Sequence, residues 1–318
     1  MLPELTLKNA RTALNQATDT FDKLRGEKVL GENTFVLRGP ETTIQFHVEG
    51  LGDMMILRQF ERGFQAYLRE NEDPGLGKVV VACGSMLAAF HPDRGDINLL
   101  WWYSFGRKDD APDEFLPWYL NEATVVPDAI LCPSPPFQEE AERLGFDTLY
   151  FPIGVQGFEP LGQPREGLGY AGSKNHKGKR KVEMVIGPHE TDPDFEHVSH
   201  FVSPTQLNLW YNTKLATFGL TKEGQRRWGN VNSRVFETLA SGTPLILEEH
   251  PYLEDVLGFE YPYQSSSREE TIELVDRIRS DPEAALDEFE TYSERVRENH
   301  SYERRVETLF DYLTEEFA

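Results

Sequence analysis

Short apolar runs alternate with stretches of helical period along most of this 318-residue chain, and that alternation limits the folds open to it. A strand candidate at Thr43 to Val48 (TIQFHV) is followed by a turn, GLGD. An amphipathic helix comes next, with Leu57, Phe60, Phe64 and Leu68 at spacings of three and four. Further apolar runs follow at KVVVAC (78–83), INLLWWY (97–103), AILC (129–132) and TLYFPI (148–153). Strands in alternation with helices predict a parallel sheet covered on both faces. The stretch PIGVQGFEPLGQPREG (152–167) is rich in Pro and Gly, lacks helical period and reads as a domain boundary. A second set opens at LGYAGS (168–173) and runs through VEMVIG, HVSHFVS and LATFGL. It reaches NVNSRVFETLASGTPLILEEH (230–250), a short helix stopped at Ser241-Gly242-Thr243-Pro244 before an apolar strand.

The expected fold is α/β, with two Rossmann-like doubly wound domains facing across a cleft. The N-terminal domain is expected over 1–160 and the C-terminal one over 165–300. The closing helix, 301–318, has an apolar face of Tyr302, Val306, Leu309, Phe310, Leu313 and Phe317 and is a candidate to pack back on the first domain. Residues 1–30 read as polar and helical. Two such domains favour a ligand site in the cleft, at the carboxyl ends of the strands.

Charge narrows the partners. With 54 acidic and 32 basic residues the formal net charge is −22, and 21 of the basic residues are Arg and only 11 Lys. Such a surface repels nucleic acid and anionic membranes over most of its area. High acidity with scarce lysine predicts a cytoplasmic protein of a salt-loving organism, where molar salt screens the self-repulsion; the plain alternative is an acidic enzyme. No run is long enough for a transmembrane segment and the first residues lack a signal peptide's apolar stretch, so a cytoplasmic location is expected. Cys83 and Cys132 each sit in an apolar run, which suits buried thiols rather than a disulfide or a metal site.

The strongest local signal is NSRVFETLASGTP (232–244). A short helix whose amide end faces the cleft attracts phosphate, through backbone N–H groups at Asn232, Ser233, Arg234 and Val235 and through the Arg234 and Ser233 side chains. Glu237, one turn in, is placed to accept hydrogen bonds from a ribose; the bland reading is an ordinary capped helix. Lys174, Lys177, Lys179, Arg180 and Lys181 form a basic cluster in so acidic a chain, which suits a diphosphate or else a solvated turn. Gly50 and Gly52 make a glycine-rich loop that lets backbone approach a ligand, though glycine pairs are more often plain turns. Asp53 and His91 are candidate catalytic bases. Asp192-Pro193-Asp194 has the spacing of a metal-binding D-x-D, but it follows GPHET rather than an apolar strand and reads as a surface loop. Trp101-Trp102-Tyr103 could stack on a sugar or belong to the core.

The 232–244 stretch resembles the signature of nucleotide-sugar glycosyltransferases of the GT-B fold, "R-x-FE-x-LA-x-G-T-P", and is similar to the spore-maturation type, a group 1-like family. YAGSKNHKGKRK resembles that family's first strand and phosphate-side loop in the second domain. VSPTQLNLWYNTKLATFGLT resembles the helix and strand before the signature, and RENHSYERRVETLF the closing helix. AILCPSPPFQEEAERLGFDTLYFPIGVQGFEP looks like the end of the first domain. The resemblance implies donor contacts from Ser173, Lys177, Arg180, Ser203, Asn232, Ser233, Arg234, Val235 and Glu237. Retaining members of the glycogen-synthase-like class carry two glutamates eight positions apart; Glu237 fits the later one, and Gly229 occupies the earlier.

The function expected is metal-independent transfer of a sugar from a nucleotide-diphospho-sugar to an acceptor that is a glycan, a lipid-linked sugar or a protein, with no cofactor beyond the donor. Two rivals follow from the same residues: a GT-B-like scaffold that binds a nucleotide or partner without turnover, and a nucleotide-sugar epimerase.

Overall fold

The computed structural model describes residues 33–48, 51–83, 94–103, 126–174, 177–199 and 203–317, with 51–53 described by backbone alone. His91, Gly50 and residues 1–30 therefore lie outside the described residues.

The first sheet has six strands in the order β1 (Asn33–Arg38), β2 (Thr42–Val48), β3 (Gly77–Cys83), β4 (Ile97–Trp101), β5 (Ala129–Cys132) and β6 (Thr148–Tyr150). β1 and β2 form an antiparallel hairpin, and every later pair is parallel. The hairpin's first strand is absent from the sequence reading, although Phe35 and Leu37 give it a period of two.

Helix α1 (Leu51–Glu70) buries Leu57, Phe60 and Phe64, as its spacing predicts. It begins at Leu51, so Gly52 and Asp53 lie in its first turn rather than in a ligand-facing loop, which corrects the GLGD reading. A glycine in a first turn costs less than one in a helix interior, and the long apolar stripe behind it supplies the packing energy.

Alternate residues along β4 and β5 point to opposite faces. Leu99, Trp101, Ala129 and Leu131 join the α1 side, and Leu100, Trp102, Ile130 and Cys132 pack with Phe137 and Ala141 of α2 (Pro135–Arg143). No disulfide joins Cys83 and Cys132, and both are buried.

The second sheet is parallel throughout. Its strands are β7 (Leu168–Ala171), β8 (Phe195–Val198), β9 (Ala216–Gly219), β10 (Leu245–Glu248) and β11 (Gln264–Ser265), in the spatial order β11-β10-β9-β7-β8. In chain order this is the 2-1-3-4-5 arrangement of a doubly wound sheet, whose strand order reverses between β7 and β9. Its helices are α3 (Lys179–Val185), α4 (Pro204–Tyr211), α5 (Glu223–Arg227), α6 (Ser233–Ala240), α7 (Leu253–Leu257), α8 (Arg268–Ser280) and α9 (Pro282–Asn299). α3 packs on α8, while α4 and α9 pack on α6.

The chain crosses between the sheets twice. Residues 151–167 run outward without helix or strand apart from a bridge at Val155, and the return lies at 299–302. The two crossings are tied side by side: Val155 N–H donates to His300 O at 2.9 Å and Tyr302 N–H to Val155 O at 3.0 Å. Helix α10 (Tyr302–Phe317) then returns to the first sheet and buries Tyr302, Val306, Leu309, Phe310 and Leu313 in its core. At Gly63 of α1 a Cβ would lie 2.5 Å from the Tyr302 carbonyl carbon, so only glycine allows this approach of the two helices. Among the described residues no helix is long and apolar enough to cross a membrane.

Candidate functional site

The connections that leave the carboxyl ends of the paired strands β7 and β9 diverge, one toward β8 and the other toward β10, and this reversal of strand order is the position at which doubly wound sheets hold ligands. Two of the groups singled out in the sequence, Lys177 and Asn232, meet there. Lys177, beyond β7, donates from Nζ to Leu220 O, beyond β9, at 2.8 Å. Asn232 reaches the same place, with Nδ2 3.5 Å from Leu220 O and from Thr221 Oγ1. Burial, with help from the Lys222 charge, pulls the Lys177 ammonium down to about 8.

Asn232 caps α6. Its Oδ1 accepts from Arg234 N–H at 3.1 Å, and its carbonyl accepts from Val235 N–H at 3.1 Å. These two amides are therefore not the open phosphate donors expected from the sequence. The cap satisfies them itself, and what remains at this end is the Asn232 and Ser233 amides, the helix dipole and the Arg234 side chain. That guanidinium is half-buried. Burial, the largest single influence, would lower its pKa, but the Glu237 carboxylate together with Tyr211 and Tyr170 outweighs burial and raises it.

Glu237 is 2% exposed, and both its oxygens have partners: Gln59 Nε2 donates to Oε1 at 2.8 Å and Arg234 to Oε2 at 3.2 Å. Gln59 belongs to α1 and went unnoticed in the sequence.

The basic cluster is largely paired. Lys174 pairs with Glu190, Lys179 with Glu183 at 3.5 Å, and Lys181 with Glu248 and Glu223, each at 3.0 Å. The expected positive loop thus reduces to Lys177 and the exposed Arg180, because nearby carboxylates neutralise the rest. Arg180 and Lys181 line a cavity of about 270 Å³ at the ends of β10 and β11, with Arg226, Glu248, Ser265 and Ser266. Ser173 follows β7, and its carbonyl accepts from Tyr170 Oη at 3.1 Å. Ser203 caps α4, its hydroxyl accepting from Gln206 N–H at 3.2 Å. Ser233 opens α6 beside Asn232.

The sequence of residues 176–311 matches a glycosyl transferase-like family. Solved structures with the same arrangement include a TarM mutant of S. aureus in complex with fondaparinux, alpha-GlcNAc-glycerol and UDP. It has TM-score 0.54 and 10% identity over 77% of this chain and 57% of TarM, so this chain spans little more than half of TarM's length. T4 phage BGT in complex with UDP and Mn2+ gives 0.51 and 11% over 78% of this chain and 86% of BGT. The trehalose-6-phosphate synthase OtsA gives 0.52 and 12% over 90% and 89%. The fold is GT-B. At these identities the structural likeness is one of fold. No curated protein sequence matches.

Within this GT-B frame the position of the missing glutamate is closed. Gly229 has φ +71°, where an L side chain is strained, and a Cβ would lie 3.1 Å from the Tyr252 ring and 3.3 Å from Ser134 Cβ. The turn around it is docked on the first sheet. Ser134 Oγ donates to Trp228 O, Asn230 Nδ2 donates to Tyr103 O at 2.9 Å, and Trp228 packs against the α2-side core.

Asp192 and Asp194 precede β8, at the end of the GT-B sheet away from the cleft. Arg279 contacts both, at 3.1 and 3.5 Å, and His189 contacts Asp192, which bears out the surface-loop reading. Among the described residues no three His, Cys, Asp or Glu side chains gather into a metal-binding group. Trp101, Trp102 and Tyr103 are each at most 4% exposed, so the sugar-stacking reading fails and the core reading stands. Asp53 enters as helix backbone only, and His91 lies outside the described residues.

Proposed function

We propose that this protein is a glycosyltransferase that takes its sugar from a nucleotide-diphospho-sugar, without an essential metal. The observation that carries the reading is the Lys177–Leu220 bond across the divergence of β7 and β9, beside the Asn232 cap and Arg234. Two cations and a helix amide end at one point match a diphosphate. They stabilise the negative charge that builds on it as the glycosyl C–O bond breaks, so that the diphosphate departs with the bonding electrons. Glu237 receives the ribose hydroxyls. Arg180 and the neighbouring 270 Å³ cavity stand where the remainder of the donor extends. Lys177, Arg180 and Arg234 replace a metal as phosphate partners. The acceptor, a glycan, lipid-linked sugar or protein, enters from the first sheet.

The closed Gly229 position favours one rival, a scaffold that binds nucleotide without turnover. Incubation with UDP-, GDP-, ADP- and dTDP-sugars separates the two: release of nucleoside diphosphate supports the enzyme, and binding without release supports the scaffold. Activity is expected to survive EDTA; full loss restored by manganese overturns metal independence. Glu237→Gln is expected to weaken nucleoside diphosphate binding by roughly 1–3 kcal/mol with the fold retained. Unchanged affinity by calorimetry removes Glu237 from the site.

A further inference from the structure

Gln59 is 0% exposed, on the buried stripe of α1 between Leu57 and Phe60. A buried amide is stable only with its polar ends partnered, and both of these ends cross between parts of the molecule. Nε2 donates to Glu237 Oε1 of the second sheet's α6, and Oε1 accepts from Gln156 N–H of the outward crossing at 3.0 Å. The other Glu237 oxygen holds Arg234 of its own helix. One turn further along α1, Arg62 donates to Thr205 Oγ1 of α4 at 3.3 Å, so the same helix touches the second sheet's helices at two points.

Glu237 is thus a carboxylate shared between the two halves of the chain, next to the Val155–Ser301 bridge where both crossings meet. At 2% exposure it is closed to a ribose while Gln59 stays in place. Each carboxylate oxygen has room for a second hydrogen bond, but at this burial a diol reaches them only when a present partner moves aside, and Gln59 is the partner that comes from the other sheet.

We infer that Gln59 is a latch. It holds the two sheets together through Glu237, and the ribose of an incoming nucleotide displaces it, so that donor binding is coupled to a movement of the two halves about the paired crossings. The inference rests on the reading that Glu237 receives the ribose. Because coupling is reciprocal, whatever weakens the latch tightens the nucleotide.

The test uses the whole chain with UDP, GDP, ADP and dTDP, and continues with the tightest of these. Gln59→Leu removes the donor. Gln59→Glu keeps the acceptor for Gln156 N–H and sets a second carboxylate against Glu237. Both variants are expected to bind the nucleotide more tightly, on the order of tenfold, the equivalent of one charge-assisted hydrogen bond. Spin labels at Glu72→Cys and Asp276→Cys, both exposed positions on opposite halves, read the movement directly, since Cys83 and Cys132 are buried. Saturating nucleotide is expected to shift the label distance in the otherwise unchanged protein, and the Gln59 variants are expected to show part of that shift without nucleotide.

Weaker binding in both variants overturns the latch and makes Gln59 a residue that orients Glu237. A label distance that nucleotide leaves unchanged overturns it even if neither variant folds, as does failure of all four nucleotides to bind. The latch alone fails if Glu237→Gln weakens binding while the Gln59 variants bind as the parent does. If Glu237→Gln binds as tightly as the parent, the ribose assignment itself fails.

Discussion

The carboxyl ends of the two sheets meet at the cleft but are made of opposite materials. β4 ends at Trp101 and is followed by Trp102 and Tyr103. Trp101 packs with Tyr103, Phe151 and Phe60 at ring-centroid distances of 4.7, 5.3 and 5.9 Å and donates from Nε1 to Phe151 O at 3.2 Å. The second sheet ends in Lys177, Lys181, Arg234, Glu237 and Glu248, joined by ion pairs and single hydrogen bonds. Apolar contact is summed over many atoms and tolerates no solvent, whereas charges gain from a ligand of opposite sign. The first end therefore serves as a fixed wall, and the second is where a charged ligand gains most.

The largest effect expected from this contrast is on stability. Trp101→Ala removes a fully buried indole and its hydrogen bond and should cost about 3–5 kcal/mol, read as a lower midpoint in urea. The folded fraction should bind nucleotide as before. A loss below about 1 kcal/mol would mean that the aromatic wall is looser than its packing shows.

Lys177 should show the reverse pattern. Its ammonium titrates at about 8, so nucleotide affinity should hold below that pH and fall as pH rises through it, by about tenfold. Lys177→Met should bind weakly at all pH values and abolish the dependence. The stability contribution runs the other way: the unfolded chain binds this proton up to about pH 10.4, so the contribution is complete above that value and lost as pH falls through about 8. Affinity that does not vary between pH 7 and 9.5 would remove Lys177 from the anion site.

The smallest effect concerns salt. With a net charge of −22, self-repulsion should fade as KCl screens it, and melting temperature should climb between about 0.1 and 2 M while nucleotide affinity falls modestly. A flat or falling melting temperature sinks the halophilic reading and leaves the contrast between the two ends untouched.

Periodicity made most of this fold legible. The spacing of Leu57, Phe60 and Phe64 specifies which face of α1 is buried, and the runs at 129–132 and 245–248 mark buried strands because a strand covered on both faces must be apolar throughout. The candidate site was legible only where one short segment carries it, as in Asn232 to Glu237. Pairings at long range left no local trace. Gln59 looks like any polar residue on a helix until Glu237, 178 positions later, is placed beside it. The lysines of 174–181 look like a free positive loop until Glu190 and Glu248 are found against them, since a sequence gives charges without their distances. Gly229, conspicuous as a missing acid, proves to be a turn glycine at positive φ, where a Cβ would strain the backbone and press on Tyr252 and Ser134.

The return of α10 to the first sheet also dictates an order of assembly. Phe60 and Phe64 are synthesised early, yet their partners Tyr302 and Phe310 come only after all of the second sheet and its helices have emerged from the ribosome. Until then the α1 side of the first sheet carries an uncovered apolar stripe, the kind of surface that invites aggregation or chaperone capture. The half of the molecule that is made first is therefore the half that finishes folding last.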